Sequence, residues 1–113
     1  MSEVLTVVRQ GDAKVFYEGP ELCHEYLRNE SLWFGSSLVN PGEIGAVDPG
    51  HPESWEIFYC VSGEGYLHDG TNEYFLQPGD TLAFPPGVPH QIHNRGTEPV
   101  LMVWAGGPGE ASA

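Results

Sequence analysis

Apolar residues in this chain come in short runs, each closed by glycine or proline, and several runs alternate apolar and polar positions with the period of a β-strand. Val4 to Arg9 is the first β-prone run and Lys14-Val15-Phe16-Tyr17 the second, parted by Gly11-Asp12 and closed by Glu18-Gly19-Pro20. Glu21 to Leu27 suits two patterns. Leu22, Tyr26 and Leu27 would line one side of a short helix, while Leu22, His24 and Tyr26 alternate as a strand would; the strands around it favour the strand. Ser31 to Val39 is a further strand whose neighbouring aromatics, Trp33 and Phe34, point to opposite faces, one to fill a core and one to cover a partner.

Beyond Asn40-Pro41-Gly42, the run Glu56, Phe58, Cys60 shares one strand face and Tyr59 and Val61 the other. Gly65–His68 and Asn72–Leu76 flank Asp69-Gly70-Thr71, a hairpin signal, because Asp and Gly tolerate positive φ. Asp80 to Phe84 is half apolar and β-prone. Pro85-Pro86-Gly87 and Pro89 cannot sit inside a ladder and force a turn, after which His90, Ile92 and Asn94 fall on one face and Gln91 and His93 on the other. Val100 to Ala105 closes the pattern as an apolar strand with Trp104. The organisation predicted is one all-β domain over residues 1–105 and a Gly/Ala/Ser-rich, frayed tail over 106–113, with no internal repeat or linker.

Gly79, Pro85, Gly87, His90 and Asn94 resemble the second motif of the cupin superfamily, whose pattern is Gly, five residues, Pro, one residue, Gly, two residues, His, three residues, Asn; every slot is filled. The resemblance implies a small single-domain cupin, a jelly-roll β-barrel or double-stranded β-helix, in which His90 points into the barrel and ligates a metal.

The stretch Gly45 to Gly63 is similar to the first motif, Gly, five residues, His-x-His, three or four residues, Glu, six residues, Gly, with one histidine lost. Glu56 fills the glutamate slot, six residues before Gly63. Counting five residues from Gly45 makes His51 the first histidine and puts Glu53 in the second slot; keeping the four-residue gap before Glu56 makes His51 the second and Pro49 the first. Strand parity favours the latter. Extending the Glu56 face backwards would leave His51 and Glu53 outside unless Pro52 marks an irregularity. Both alignments keep His51 and Glu56. Glu53 either replaces a ligand, serves as an acid or base, or faces solvent.

The set His51, Glu56 and His90 implied by the resemblance has the composition of a two-histidine, one-carboxylate site, which suits Fe(II), Mn(II), Ni(II), Co(II) or Zn(II) with open positions for a substrate. A second carboxylate would tilt it towards harder ions. If Glu53 points inward beside Glu56, crowding and poor solvation would raise its pKa and make it the candidate general base.

Charge and cysteine content narrow the setting. Sixteen acidic against four basic residues give a formal charge of −12, which repels nucleic acid and anionic membrane surfaces. With 113 residues the chain is large enough to bury roughly 65% of its unfolded surface around one core. Cys23 and Cys60 have no CxxC spacing and make no disulfide framework, and no apolar run marks a signal peptide or a membrane span, so a reduced cytoplasmic setting is the default. Cys60 reads as core filling, His24 and His68 as ordinary partly exposed residues, and His93 as an outer-face or subunit-contact residue.

Cupins include dioxygenases, isomerases, epimerases, decarboxylases, lyases, cyclases and non-catalytic binders, and are usually homodimers. The expectation is a metal-dependent small-molecule enzyme, the class of reaction being open. The alternatives are a non-catalytic cupin that binds or senses a small ligand, and a metal-independent isomerase or cyclase using the same histidines and carboxylates. Arg9, Arg28 and Arg95 lie outside both motifs, which argues for a neutral or metal-chelating ligand over an anionic one.

Overall fold

The structure, a computed structural model, describes residues 5–109. Among them a 3-10 turn, Gln10–Asp12, precedes nine strands: β1 Lys14–Glu18, β2 Glu21–Arg28, β3 Trp33–Val39, β4 Trp55–Ser62, β5 Gly65–His68, β6 Glu73–Leu76, β7 Thr81–Phe84, β8 Gln91–His93 and β9 Val100–Gly107. They form a six-stranded sheet in the order β1-β2-β3-β9-β4-β7 and a three-stranded sheet in the order β6-β5-β8. All pairings between strands are antiparallel. This is the double-stranded β-helix expected from the motifs.

Strand parity sets the core. Burial alternates along β3 and β4, so Trp33 and Val39 face Phe58 and Cys60, and Val100, Met102 and Trp104 of β9 lie between them. Leu67, Leu76 and Ile92 close the cluster from the small sheet. Each such side chain stabilises the fold by about 1.5–3 kcal/mol through its lost apolar surface. The glycines Gly35 and Gly106 leave room for the two core indoles: a Cβ on either would overlap the ring of Trp104 or Trp33, respectively.

The segment between β3 and β4 is not a free loop. Residues 42–48 run antiparallel along β8, with backbone hydrogen bonds from Gly42 N to Asn94 O (2.9 Å), Asn94 N to Glu43 O (3.0 Å), and Gly45 N to Ile92 O (2.8 Å). The pairing ends in a bridge between Asp48 and His90 that is bonded in both directions, at 2.8 and 2.9 Å. Asn94 locks the far end, its amide donating to Val39 O and Glu98 O.

Three expectations from the sequence need correction. Leu5 to Arg9 forms no strand: Leu5 and Val7 are exposed, Thr6 and Val8 lie near Tyr26, Leu27 and Phe34 without ladder pairing, and Val4 is outside the described residues. The tail does not begin at Gly106, because Gly106 and Gly107 are paired with β3 and β4, and the N–H of Gly109 donates to Glu30 O; residues 110–113 lie outside the described residues. On β2, the strand is present, but its inward face is Glu21-Cys23-Glu25, and the apolar Leu22 and Tyr26 sit on the outer face. No helix among the described residues is long and apolar enough to cross a membrane.

Candidate metal site and ligand cavity

The inward faces of both sheets leave a cavity of about 60 Å³ at one end of the barrel. Its floor holds four side chains that three separate segments deliver. Glu56 arrives on the inner face of β4, between Ser54 and Phe58. His90 precedes β8, where the Pro85-Pro86-Gly87 turn hands the chain back to the small sheet. Asp48 comes by its bridge to His90. His51 is carried in by an irregular stretch: Gly50 adopts φ +90°, a conformation glycine alone takes easily, and the carbonyl of His51 accepts the N–H of Gly87 at 2.8 Å.

Their polar tips converge. His90 Nε2 lies 3.0 Å from Glu56 Oε1 and 3.5 Å from Asp48 Oδ2. His51 Nε2 lies 3.5 Å from the same Glu56 oxygen and 3.9 Å from the same Asp48 oxygen. Asp48, Glu56 and His90 each present a ligand atom within 4.8 Å of the other two. Glu56 Oε1 and His90 Nε2 are fully buried, yet neither has an aligned hydrogen-bond partner among the described residues. Buried polar atoms are almost always satisfied, so two that point at one spot mark a place for a further group.

The remaining atoms of the cluster are held by the protein. Glu56 Oε2 accepts the indole N–H of Trp33 at 2.7 Å. His90 Nδ1 sits 3.2 Å from the carbonyl of Val88, which can only accept, so that nitrogen carries the proton and Nε2 is the one turned to the cluster. Asp48 Oδ1 accepts the N–H of Gly50 at 2.9 Å. Aromatic rings fix the imidazoles, Phe84 stacking on His90 (4.6 Å between centroids) and Trp33 against His51 (4.5 Å).

The electrostatics fit this packing. Burial pulls the His90 pKa down, but the carboxylates of Asp48 and Glu56 outweigh it and push it up to about 10. Burial pulls Glu56 and Asp48 upward, and the adjacent imidazoles and N–H donors hold both below the usual carboxylate range. A divalent ion and the His90 proton thus compete for one place. Two imidazoles and two carboxylates make a mixed nitrogen and oxygen set that fits a first-row divalent ion, and the unsatisfied pair, Glu56 Oε1 and His90 Nε2, supplies donors from both classes.

All three ligands expected from the sequence, His51, Glu56 and His90, meet in the cluster. Glu53 does not. It is exposed, on the outer face with Trp55, because the irregularity at Pro52 brings only His51 back inside before strict alternation resumes at Ser54. The role of general base expected for it is corrected accordingly. The acid that joins the cluster is Asp48, which sequence reasoning missed; the signal was a carboxylate beside the slot of the lost histidine. His93 is on the outer face of the small sheet, stacked against His68, and Cys60 is buried in the core.

Above the floor, the opposite wall comes from β1 and β2: Phe16, Glu18, Glu21, Cys23 and Glu25. Glu21 is 6% exposed. Its carboxylate rests against Gly45, where a Cβ would collide with it, and Cys23 Sγ is 3.9 Å from its Oε2. Burial, followed by the charge of Glu18, pushes its pKa up to about 8.

A family model described as a cupin domain, Cupin_2, matches residues 36–106. An uncharacterized protein of Methanocaldococcus jannaschii is 34% identical over 53 residues, which cover 47% of this chain and 42% of the relative. An oxalate-binding protein of Thermotoga maritima is 29% identical over 75 residues, covering 66% of this chain and 61% of the relative. The matches span about half the length of these curated relatives. The crystal structure of a predicted oxalate decarboxylase of Thermotoga maritima is similar in fold, with a TM-score of 0.75 and 22% identity over 89% of this chain and 97% of that one.

Proposed function

Because the chain belongs to the Cupin_2 family of cupin domains, we propose that it is a small-molecule enzyme working with one divalent metal ion held by Asp48, His51, Glu56 and His90. The observation that carries this reading is the pair of buried atoms, Glu56 Oε1 and His90 Nε2, aimed at one point without aligned partners. When bound, a divalent ion supplies Lewis acidity to a substrate oxygen. The protein's own groups set the stage for it. Trp33 keeps Glu56 Oε1 turned inward, Val88 fixes the His90 tautomer, and Gly50 holds Asp48 in place. Phe58 and Phe84 pack their rings on His90 and Trp33 packs on His51, which restricts both imidazoles. Two carboxylates offset the charge of a divalent ion, which favours Fe, Mn, Co, Ni or Zn in that oxidation state. With Glu53 at the surface, proton transfer inside the cavity falls to Glu21, the buried carboxyl on the opposite wall.

A second reading rests on the charge of His90. Held as an imidazolium between Asp48 and Glu56, it balances the cluster without metal, which favours a metal-free cupin that binds a small ligand in the same cavity. Oxalate, named for the Thermotoga relative, is the first anion to try on either reading. We extend the proposal to a homodimer, since Tyr26, Leu27, Leu32 and Phe34 form an apolar patch on the outer face; sedimentation of a Phe34→Glu variant as a monomer checks it.

Metal content separates the two readings. Plasma mass spectrometry of the untagged protein should find close to one transition-metal ion per chain, and none in Glu56→Ala or His90→Ala. A wild type that takes up no ion from Mn, Fe, Co, Ni or Zn solutions sinks the metalloenzyme and leaves the second reading.

A further inference from the structure

Three of the four floor residues have one polar atom occupied outside the cluster. The carbonyl of Val88 holds His90 Nδ1, the N–H of Gly50 holds Asp48 Oδ1, and the indole N–H of Trp33 holds Glu56 Oε2. For the histidine this leaves the number of donor atoms unchanged, since a neutral imidazole binds an ion through a single nitrogen. For a carboxylate it decides between offering one oxygen and offering both. Of the two groups that make this choice for a carboxylate, Gly50 acts through its backbone and Trp33 through its side chain.

Trp33 carries its N–H on a ring with no room to turn. It is 1% exposed, and its register partner on β9, Gly106, lies so close to the indole that a Cβ there would overlap it. His51 packs against one side at 4.5 Å between centroids, and the Arg28 guanidinium carbon stands 5.3 Å from the ring centre. The bond to Glu56 measures 2.7 Å, at the short end for N–H···O, as a charged acceptor gives. Turning Oε2 towards the cluster would leave that buried N–H without an acceptor, which is unfavourable inside a protein. Glu56 Oε1 is thus the oxygen left without an aligned partner.

We infer that Trp33 is the positioning residue that fixes Glu56 as a one-oxygen donor and thereby sets which ion the floor accepts. With Oε2 held back by Trp33 and Asp48 Oδ1 by Gly50, the floor offers at most one oxygen from each carboxylate and one nitrogen from each imidazole. That set suits a first-row divalent ion, which binds nitrogen well. It fails calcium, which takes about six to eight oxygens and often both oxygens of one carboxylate. The inference rests on the proposed metal site and adds to it the residue that gives it selectivity.

Manganese and calcium titrated calorimetrically into wild type, Trp33→Phe, Glu56→Gln and Trp33→Phe/Glu56→Gln test it. Trp33→Phe should lose about 10–100-fold in manganese affinity while calcium, given the second oxygen of Glu56, loses little, so the ratio of the two narrows. The sharper reading is a reversal of sign. In Glu56→Gln the indole takes the only oxygen of the new amide and turns its NH2, which is no ligand, towards the cluster; in the double variant the amide is free to turn over. The double variant should therefore bind manganese about threefold or more tighter than Glu56→Gln, although Trp33→Phe alone weakens binding. A tryptophan that merely packed would make the double variant the weakest of the four. That result, or an unchanged manganese-to-calcium ratio in Trp33→Phe, overturns the inference. Wild type gives a reading that needs no variant to fold: in proton–nitrogen correlation spectra the Trp33 Nε1–H should stay hydrogen-bonded and slow to exchange with zinc as without it. Its release on zinc binding overturns the inference equally. Wild type that takes up neither manganese nor zinc would contradict the metal site itself, and this inference with it.

Discussion

The floor and the upper wall of the cavity are built from the same kinds of residue and solve burial in different ways. On the floor, two carboxylates are interleaved with two imidazoles, the outer atoms of Glu56, Asp48 and His90 are tied by an N–H or a carbonyl, and Glu56 Oε1 and His90 Nε2 face one point. On the upper wall, the buried Glu21 lies beside the exposed Glu18 with no basic side chain paired to either among the described residues, and the wall tolerates this by keeping a proton on Glu21. A carboxylate framed by imidazoles and N–H donors keeps its charge when buried, while one set beside another carboxylate keeps a proton instead. The distinction comes from what surrounds each group and not from its identity.

The largest effects are expected on the floor. Glu56→Ala or His90→Ala removes a donor and should weaken metal binding by well over the roughly 100-fold that second-layer changes reach, read as loss of bound metal. Trp33→Phe keeps the aromatic packing against His51 but frees Glu56 Oε2. It should cost about 10–100-fold in metal affinity, and about 1.5–3 kcal/mol in stability to denaturant, the scale of a hydrogen bond to a charged group.

The pH response sharpens the contrast. His90 has a folded pKa raised from 6.5 to about 10, so in the metal-free protein its contribution to stability is full below pH 6.5 and is lost as pH rises through about 10. Because an ion must displace that proton, metal affinity should rise by about tenfold per pH unit between pH 6.5 and 8.5. A flat profile in competition titrations would show that His90 is already neutral. Glu21 behaves oppositely in kind. Its carboxyl, raised from 4.5 to about 8, keeps a proton in the folded state, so it costs stability progressively as pH climbs through that window. Glu21→Gln should therefore stabilise the protein by on the order of 1–2 kcal/mol at pH 7 and by almost nothing at pH 4, with metal retained. The smallest effect belongs to Glu53→Gln, an exposed change expected within about 0.5 kcal/mol and without influence on metal.

What could be read from the chain followed its local rules. The alternation of Phe58 and Cys60, the Asp69-Gly70 hairpin and the Pro-rich turn before His90 each encode strand faces or turns within a few residues, and the strands formed where those signals stood. The resemblance to cupin motifs located three of the four floor residues. Asp48 was hidden because its place depends on pairing with His90, forty-two positions away in the chain, and no local pattern carries that register. Glu21 was hidden for a different reason. Alternation on β2 was visible, but the apolar set, Leu22 and Tyr26, drew the eye to the face that turns out to be the outer one, because the cavity inverts the usual rule that the apolar face goes in. Leu5 to Arg9 had the propensity of a strand but forms no ladder, and propensity alone did not make one.

The central claim is that Asp48, and not Glu53, stands in for the lost motif histidine. Calorimetric titration of manganese into wild type, Asp48→Ala and Glu53→Ala at pH 7.5 tests it most directly. The account predicts one site per chain in wild type and Glu53→Ala with equal affinity, and at least a tenfold loss in Asp48→Ala. Equal affinity in wild type and Asp48→Ala, with the loss appearing in Glu53→Ala instead, would contradict it.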